Sequence, residues 1–131
     1  MIWMVCWYPP MRCTIWHGNV WRTNCRSQDL RERTIEDRGE KTGLLPYLDK
    51  ISCGLDTTKS KPDPEVFLVA ARKLELSPGQ CLVVEDSAAG IEAAAAGGMK
   101  SLGVGPFYRL LHADYEAPML CEVQNWDEIL K

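Results

Sequence analysis

The sequence lacks three features that would each assign it to a class of protein: a long apolar run, a block of basic residues and a CxxC pair. None of its apolar runs approaches the roughly 20 residues that cross a bilayer. The net charge is −3, and Lys and Arg do not cluster as binding to a phosphate backbone requires. We therefore expect neither a membrane nor a nucleic acid among the partners of this protein.

The six cysteines are scattered along the chain, and neither histidine lies at zinc-ligand spacing from them. This pattern is typical of free thiols in a reducing compartment. The apolar start, residues 1–8, has neither a basic segment before it nor a small-residue cleavage site after it, so a signal peptide is not expected. These features favour a cytoplasmic protein.

The composition changes abruptly at Gly43. Residues 1–42, here called the head, contain four of the five Trp and six of the eight Arg but no Ala or Phe, whereas residues 43–131 contain all ten Ala. The Trp spacing in the head fits neither a helix nor a strand, Pro9-Pro10 would break a helix, and residues 27–41 are almost entirely polar. We expect the head to be disordered or poorly packed.

From Gly43 onward, apolar spacing and turn residues predict alternating strands and helices. The predicted strands are residues 50–54, 81–84, 100–105 and 114–117. The predicted helices begin near Pro64, run over residues 88–96, and begin again near residue 125. The uninterrupted apolar run 81–84 is typical of a parallel strand that is covered on both faces. This alternation predicts an α/β layered fold with parallel strand pairing.

Two adjacent carboxylates, Glu85 and Asp86, directly follow that buried strand. The carboxyl ends of parallel strands open onto the ligand crevice of such folds. Adjacent carboxylates repel each other unless a cation lies between them, and oxygen ligands of this kind suit Mg²⁺. The residues that follow, 87–90, begin a helix, whose first backbone amides favour anions. The sequence thus indicates a candidate site for Mg²⁺ and an anion.

Lys61 is a second candidate, because the rigid Pro62 holds it at a junction between loop and helix, where an ammonium group could neutralise a phosphate or a carboxylate. A plainer interpretation is also open on these residues alone. In it, Lys61 is a surface charge and the pair Glu85-Asp86 caps the following helix, since Asp is a favoured cap residue.

Four segments carry a combination that is specific to one family: Lys61-Pro62-Asp63-Pro64-Glu65-Val66-Phe67, the LVVEDSAAGI of residues 82–91, Gly97-Gly98-Met99-Lys100 and Gly103-Val104-Gly105. Together they resemble the C-terminal half of the haloacid dehalogenase superfamily. The similarity is to its β-phosphoglucomutase-like branch, which includes small sugar-phosphate phosphatases. It covers residues 43–131.

The resemblance implies a role for each candidate residue. Lys61 would be the catalytic lysine that offsets charge between an aspartyl nucleophile and the phosphoryl group. Asp86 would be a direct Mg²⁺ ligand, and Glu85 a second acidic ligand acting directly or through water. The implied substrate is a phosphorylated small molecule, a sugar phosphate in this branch, and the chemistry depends mainly on positioning and charge stabilisation.

The nucleophile of that family is missing. The family carries DxDx[TV] on its first strand, and none of the eight Asp of this chain has another Asp two positions later. Asp56-Thr57-Thr58 is a poor substitute, because it follows no buried strand. The cap domain and the strand that ends in Ser or Thr are not recognisable either. We therefore expect a partial haloacid-dehalogenase-like core with parallel strands, in which the strand at Ile51 is separated from the pair around Val83 and Leu102.

Three interpretations of the whole chain remain. It is an incomplete member of a phosphatase or phosphoglucomutase family with little activity alone, or a non-catalytic remnant or interaction module from a truncated or frameshifted gene. In the third, a complementing chain supplies the missing central strands. The alternative to a frameshift is a lineage-specific head that folds over the exposed edge of the sheet. The DNA upstream of Gly43 discriminates, because a DxDx[TV] motif in another reading frame would favour the frameshift.

Overall fold

The structure, a computed structural model, describes residues 2–6, 12–17, 49–53 and 56–129. Its strands are β1 (Ile2–Cys6), β2 (Arg12–His17), β3 (Lys50–Cys53), β4 (Cys81–Glu85), β5 (Lys100–Val104) and β6 (Tyr115–Ala117). Its α-helices are α1 (Glu65–Lys73), α2 (Ala88–Ala96) and α3 (Trp126–Ile129). From β3 to α3 these elements follow the order that the sequence predicts, and their boundaries agree to within a residue or two.

The strands form one six-stranded sheet in the order β3-β2-β1-β4-β5-β6. The pairs β3/β2, β4/β5 and β5/β6 are parallel, and β1 is antiparallel to both of its neighbours, β2 and β4. Five strands therefore end at the same edge of the sheet, and β1 begins there. This arrangement is an α/β fold with parallel pairs, as predicted.

Strand β4 lies in the middle of the core and all five of its residues are buried. Cys81 and Val83 join the cluster beneath α1 and α2, whereas Leu82 and Val84 join a second cluster with Leu102 and the residues around α3. Successive side chains of a strand point to opposite faces, so an apolar run without polar interruptions requires cover on both sides. The interpretation of residues 81–84 as a doubly covered parallel strand is confirmed.

The helices form where their capping and apolar residues allow. Helix α1 follows Pro64 and buries the apolar positions Val66, Phe67, Ala70 and Ala71 against the sheet. In α2 the N-cap is Ser87, whose hydroxyl accepts a hydrogen bond from the backbone N–H of Gly90. That helix ends at Gly97-Gly98, where Gly98 has φ of 70°.

The head differs from the prediction in one respect, since it contributes two strands, β1 and β2. β1 and β2 lie between β3 and β4, so the expectation that the strand at Ile51 is separated from the pair around Val83 and Leu102 is wrong. Their side-chain types do not alternate cleanly between apolar and polar, so the sequence shows no strand period there. The prediction for the remainder of the head lies outside the described residues.

Among the residues that the structure describes, no helix is both long enough and apolar enough to cross a membrane.

Candidate active site

The site is built around an ion pair at the carboxyl end of β4. Lys61 Nζ lies 2.7 Å from Glu85 Oε2, and the two side chains are 14% and 2% exposed. Lys61 is therefore not a surface charge, and the plainer interpretation of that residue is wrong. A buried ion pair has a large desolvation penalty and is weak evidence for stability by itself, so its position at the ligand edge of the sheet favours a functional reason for it.

Glu85 is held from its other side by the start of α2. The Ser87 hydroxyl donates a 2.7 Å hydrogen bond to Glu85 Oε1, so Lys61 and Ser87 bind one carboxylate oxygen each. Gly90 completes this arrangement, because a Cβ at that position would overlap the side chain of Glu85. The helix is capped by Ser87, which corrects the expectation that Asp86 could serve as the cap.

Lys61 reaches Glu85 from a loop that precedes α1. Its ammonium nitrogen lies 5.5 Å from the centroid of the Phe67 ring, which is itself buried in the core. A cation over an aromatic face is attracted by the negative face of the ring. The Lys61–Pro62 peptide bond is cis. Lys61 thus lies close to both the Phe67 ring and the Glu85 carboxylate.

Asp86 has a different environment from Glu85, although the two residues are neighbours in the sequence. It is exposed, and within the described part of the chain its carboxylate has no hydrogen bond or ion pair. Gly105, which follows β5 and has φ of 98°, lies beside its Cβ position. The positive charge that the adjacent carboxylates require is therefore supplied to Glu85 by Lys61, and Asp86 retains a free carboxylate at the edge of the sheet.

The structure brings Lys61, Glu85 and Asp86 to one edge of the sheet, as their positions in the sequence suggested. Asp56 belongs to a separate group, in which it accepts hydrogen bonds from Ser52 and from Lys73, 2.8 Å away. That environment gives no support to Asp56 as a substitute nucleophile. Among residues 49–53 and 56–129, no three His, Cys, Asp or Glu side chains are grouped so that they could hold a metal ion.

Sequence reasoning missed two residues of this site, Ser87 and Gly90, as partners of Glu85. Both stand in the EDSAAG segment, so the spacing was visible. The sequence does not show the conformation of the Glu85 side chain, which turns back toward the first turn of α2. This conformation uses the Ser87 hydroxyl as a donor and leaves no room for a Cβ at position 90.

Comparisons with known proteins identify the family. The family model that matches is described as haloacid dehalogenase-like hydrolase, and it covers residues 21–98. This match begins inside the head, so the similarity extends further toward the amino terminus than Gly43.

Two curated relatives and one solved structure are similar to large parts of this chain. The β-phosphoglucomutase of Bacillus subtilis is 42% identical over 73 residues, covering 53% of this chain and 32% of that protein. A phosphorylated carbohydrates phosphatase of Thermotoga maritima is 32% identical over 91 residues, covering 70% and 40%. A crystal structure of a HAD hydrolase from Entamoeba histolytica aligns with a TM-score of 0.69 at 25% identity, over 89% of this chain and 51% of that one. The chain thus spans about a third to two fifths of the length of these two curated relatives.

Proposed function

The chain belongs to the haloacid dehalogenase-like hydrolases, and from that premise we propose that it carries part of a phosphoryl-transfer site for a sugar phosphate. The observation that carries the proposal is the buried Lys61–Glu85 ion pair beside the free carboxylate of Asp86. The relatives named as a phosphoglucomutase and as a carbohydrate phosphatase support a phosphorylated sugar as the class of substrate. Phosphatase and mutase activity are both compatible with these residues.

In the proposed site, Lys61 provides the positive charge. Its ammonium has three donors, and Glu85 accepts from it at 2.7 Å. Its positive charge would stabilise the negative charge that develops on a phosphoryl oxygen, which is the form of stabilisation that phosphoryl transfer requires. Glu85 therefore acts first as the group that orients Lys61.

Mg²⁺ is the cofactor we propose, and the oxygen ligands present fit it in part. Mg²⁺ is bound in proteins by one or two carboxylates together with waters and substrate phosphate. Asp86 offers a free carboxylate and would be the direct ligand, whereas both oxygens of Glu85 already have donors, so Glu85 would act through water. When bound, the ion would neutralise charge on the transferred phosphoryl group.

We propose further that this chain alone has little turnover. The aspartyl nucleophile of the family is not recognisable among its eight Asp, and the described residues contain no third acidic ligand near Glu85 and Asp86. The same two observations favour the second candidate function, a non-catalytic remnant or interaction module. A complementing chain that supplies an aspartate would reconcile the first proposal with the missing group.

The test uses Mn²⁺ as a paramagnetic probe for the proposed Mg²⁺ site. Titrated into the ¹⁵N-labelled protein, Mn²⁺ should broaden the amide resonances around residues 85–87 first, and added Mg²⁺ should reverse the broadening. Asp86→Asn should abolish it. Asp127→Asn, which changes another exposed carboxylate, on α3, is the matched control and should leave the broadening unchanged.

Turnover is measured separately as phosphate release and as isomerisation, on a panel of sugar phosphates with Mg²⁺. Activity that disappears in Asp86→Asn would show that the chain is catalytic alone, against our proposal of little turnover. If Mn²⁺ does not broaden residues 85–87, the metal-assisted site is refuted and the non-catalytic alternative is favoured.

A further inference from the structure

We propose that Glu65 is a positioning residue, whose carboxylate holds the loop of residues 58–61 so that Lys61 meets Glu85. This inference deepens the proposed function and rests on it for its catalytic meaning, although the contact it concerns can be measured without turnover. Glu65 touches neither Glu85 nor Asp86 through any described hydrogen bond, so its effect on the site must pass through the loop.

The contacts of Glu65 are unusual for a residue in the first turn of a helix. Its Oε2 accepts hydrogen bonds from the backbone N–H of Thr58 at 2.9 Å and of Lys59 at 2.6 Å. The hydroxyl of Thr58 adds a third donor, 3.2 Å from each carboxylate oxygen. One carboxylate thus binds three donors from the segment directly before Lys61.

Other groups of the loop complete its conformation. Asp63 Oδ1 accepts a hydrogen bond from the backbone N–H of Glu65 at 3.0 Å, and the N–H of Asp63 donates to the Ser60 carbonyl at 3.1 Å. The chain therefore turns back on itself between residues 58 and 65. Lys61 lies at the middle of that turn, and its side chain leaves the turn toward Phe67 and Glu85.

The Glu65 carboxylate is the main restraint on residues 58–60, because the described residues make few other contacts with this part of the loop. Thr58, Lys59 and Ser60 are exposed, and no core side chain is contributed by them. The ion pair between Lys59 and Asp63 is 3.3 Å long with the Lys59 side chain 67% exposed, a type of pair that contributes little. Hydrogen bonds to a charged acceptor are stronger than neutral ones. The backbone N–H of Lys59 also lowers the pKa of Glu65, as expected for a carboxylate held by backbone donors.

The experiment measures exchange with water in the ¹⁵N-labelled full chain, at the Lys61 ammonium and at the amides of Thr58 and Lys59. In Glu65→Gln we expect exchange at these two amides to be faster by roughly tenfold, because their charged acceptor is lost. We expect the Lys61 ammonium to exchange faster as well, and by a larger factor than the amide of Val83 in β4, whose exchange reports on the stability of the whole sheet. A larger increase in the exchange rate at Lys61 than at Val83 distinguishes a positioning role of Glu65 from a general loss of stability.

Two controls make the result specific. Lys59→Ala removes the exposed ion pair but keeps the backbone donor, so it should leave the exchange of Lys61 unchanged. Glu92→Gln replaces an exposed carboxylate of α2 in the same way and should also have no effect. Thr58→Val, which removes only the hydroxyl donor, should accelerate Lys61 by less than Glu65→Gln does.

Three outcomes would overturn the inference. The Lys61 ammonium could keep its rate in Glu65→Gln, it could accelerate by the same factor as Val83, or Lys59→Ala could reproduce the whole effect. The Mn²⁺ titration of the unmodified protein decides the proposed function independently. If Mn²⁺ fails to bind at Asp86 but Lys61 responds to Glu65→Gln, the positioning role holds and the phosphoryl-transfer proposal fails.

Discussion

Substituting Gly90 by alanine tests whether the conformation of Glu85 is as closely fitted as the structure indicates. Gly90 lies in the first turn of α2, where alanine alone would favour the helix by about 1 kcal/mol. A Cβ at this position would, however, overlap the Cγ, Cδ and Oε2 of Glu85. Because Glu85 is 1% exposed and bound on both sides, it cannot move aside without losing a partner.

The expected loss follows from these contacts. Overpacking in a buried site typically costs about 1–3 kcal/mol, and a lost hydrogen bond to a charged group about 1.5–3 kcal/mol. After the gain in helix propensity, we expect Gly90→Ala to lower the free energy of unfolding by about 3 kcal/mol. For a chain of this size that corresponds to a fall in Tm of roughly 12 °C.

The assay is thermal unfolding followed by circular dichroism, with Gly79→Ala as the matched control. Nothing lies within 4 Å of a Cβ at Gly79, so that variant should be neutral or slightly stabilising. A double-mutant cycle adds a sharper test. Glu85→Asp shortens the side chain, and in that background Gly90→Ala should cost at least about 1 kcal/mol less than in the parent. Equal Tm values for Gly90→Ala and Gly79→Ala would refute the reasoning.

Three further predictions concern the interactions around the site. Lys61→Ala should lower the free energy of unfolding by about 3–5 kcal/mol because it leaves a buried charge unpaired, and thermal unfolding should show a partial recovery when Glu85→Gln is added. The pKa of Glu65 lies below its ordinary value of 4.5, owing first to the hydrogen bond from the backbone N–H of Lys59 and despite the repulsion of Asp63. Its contribution to stability is therefore present above 4.5 and is lost as the pH falls through the lowered pKa, so urea midpoints of the parent and Glu65→Gln should converge in acid. Asp114→Ala should cost about 1–3 kcal/mol in chemical unfolding, because the N–H and hydroxyl of the buried Ser101 both donate to that carboxylate.

The sequence was sufficient to predict the strands and helices whose local residue pattern agrees with their environment in the fold. The apolar run 81–84 is typical of a strand covered on both faces, and the segment 88–96 combines helix-forming alanines with a glycine pair that ends the helix. Glu85 and Asp86 lie at the junction of these two elements, so the location of the candidate site was predictable as well.

What could not be predicted depends on contacts between distant residues. Lys61 and Glu85 are 24 positions apart, and only the fold shows that each is the partner of the other. The strands of the head, β1 and β2, could not be predicted for a different reason. Its strands carry Trp, Cys and Arg without regular alternation, and their pairing partners, β3 and β4, lie far along the chain. The change of composition at Gly43 also did not mark the limit of family similarity, which begins at residue 21.

The direction of β1 decides which of its two ends lies at the edge of the sheet that carries Lys61 and Glu85. In register, Trp3 lies opposite Val84 and Cys6 opposite Cys81, so β1 enters the sheet beside Glu85 and leaves it at the far edge. A side chain carried just after β1 would lie roughly 14 Å from that edge, at the rise of an extended strand. An aspartate placed at the edge near Lys61 would therefore have to precede β1, follow one of the five strands that end there, or come from a second molecule.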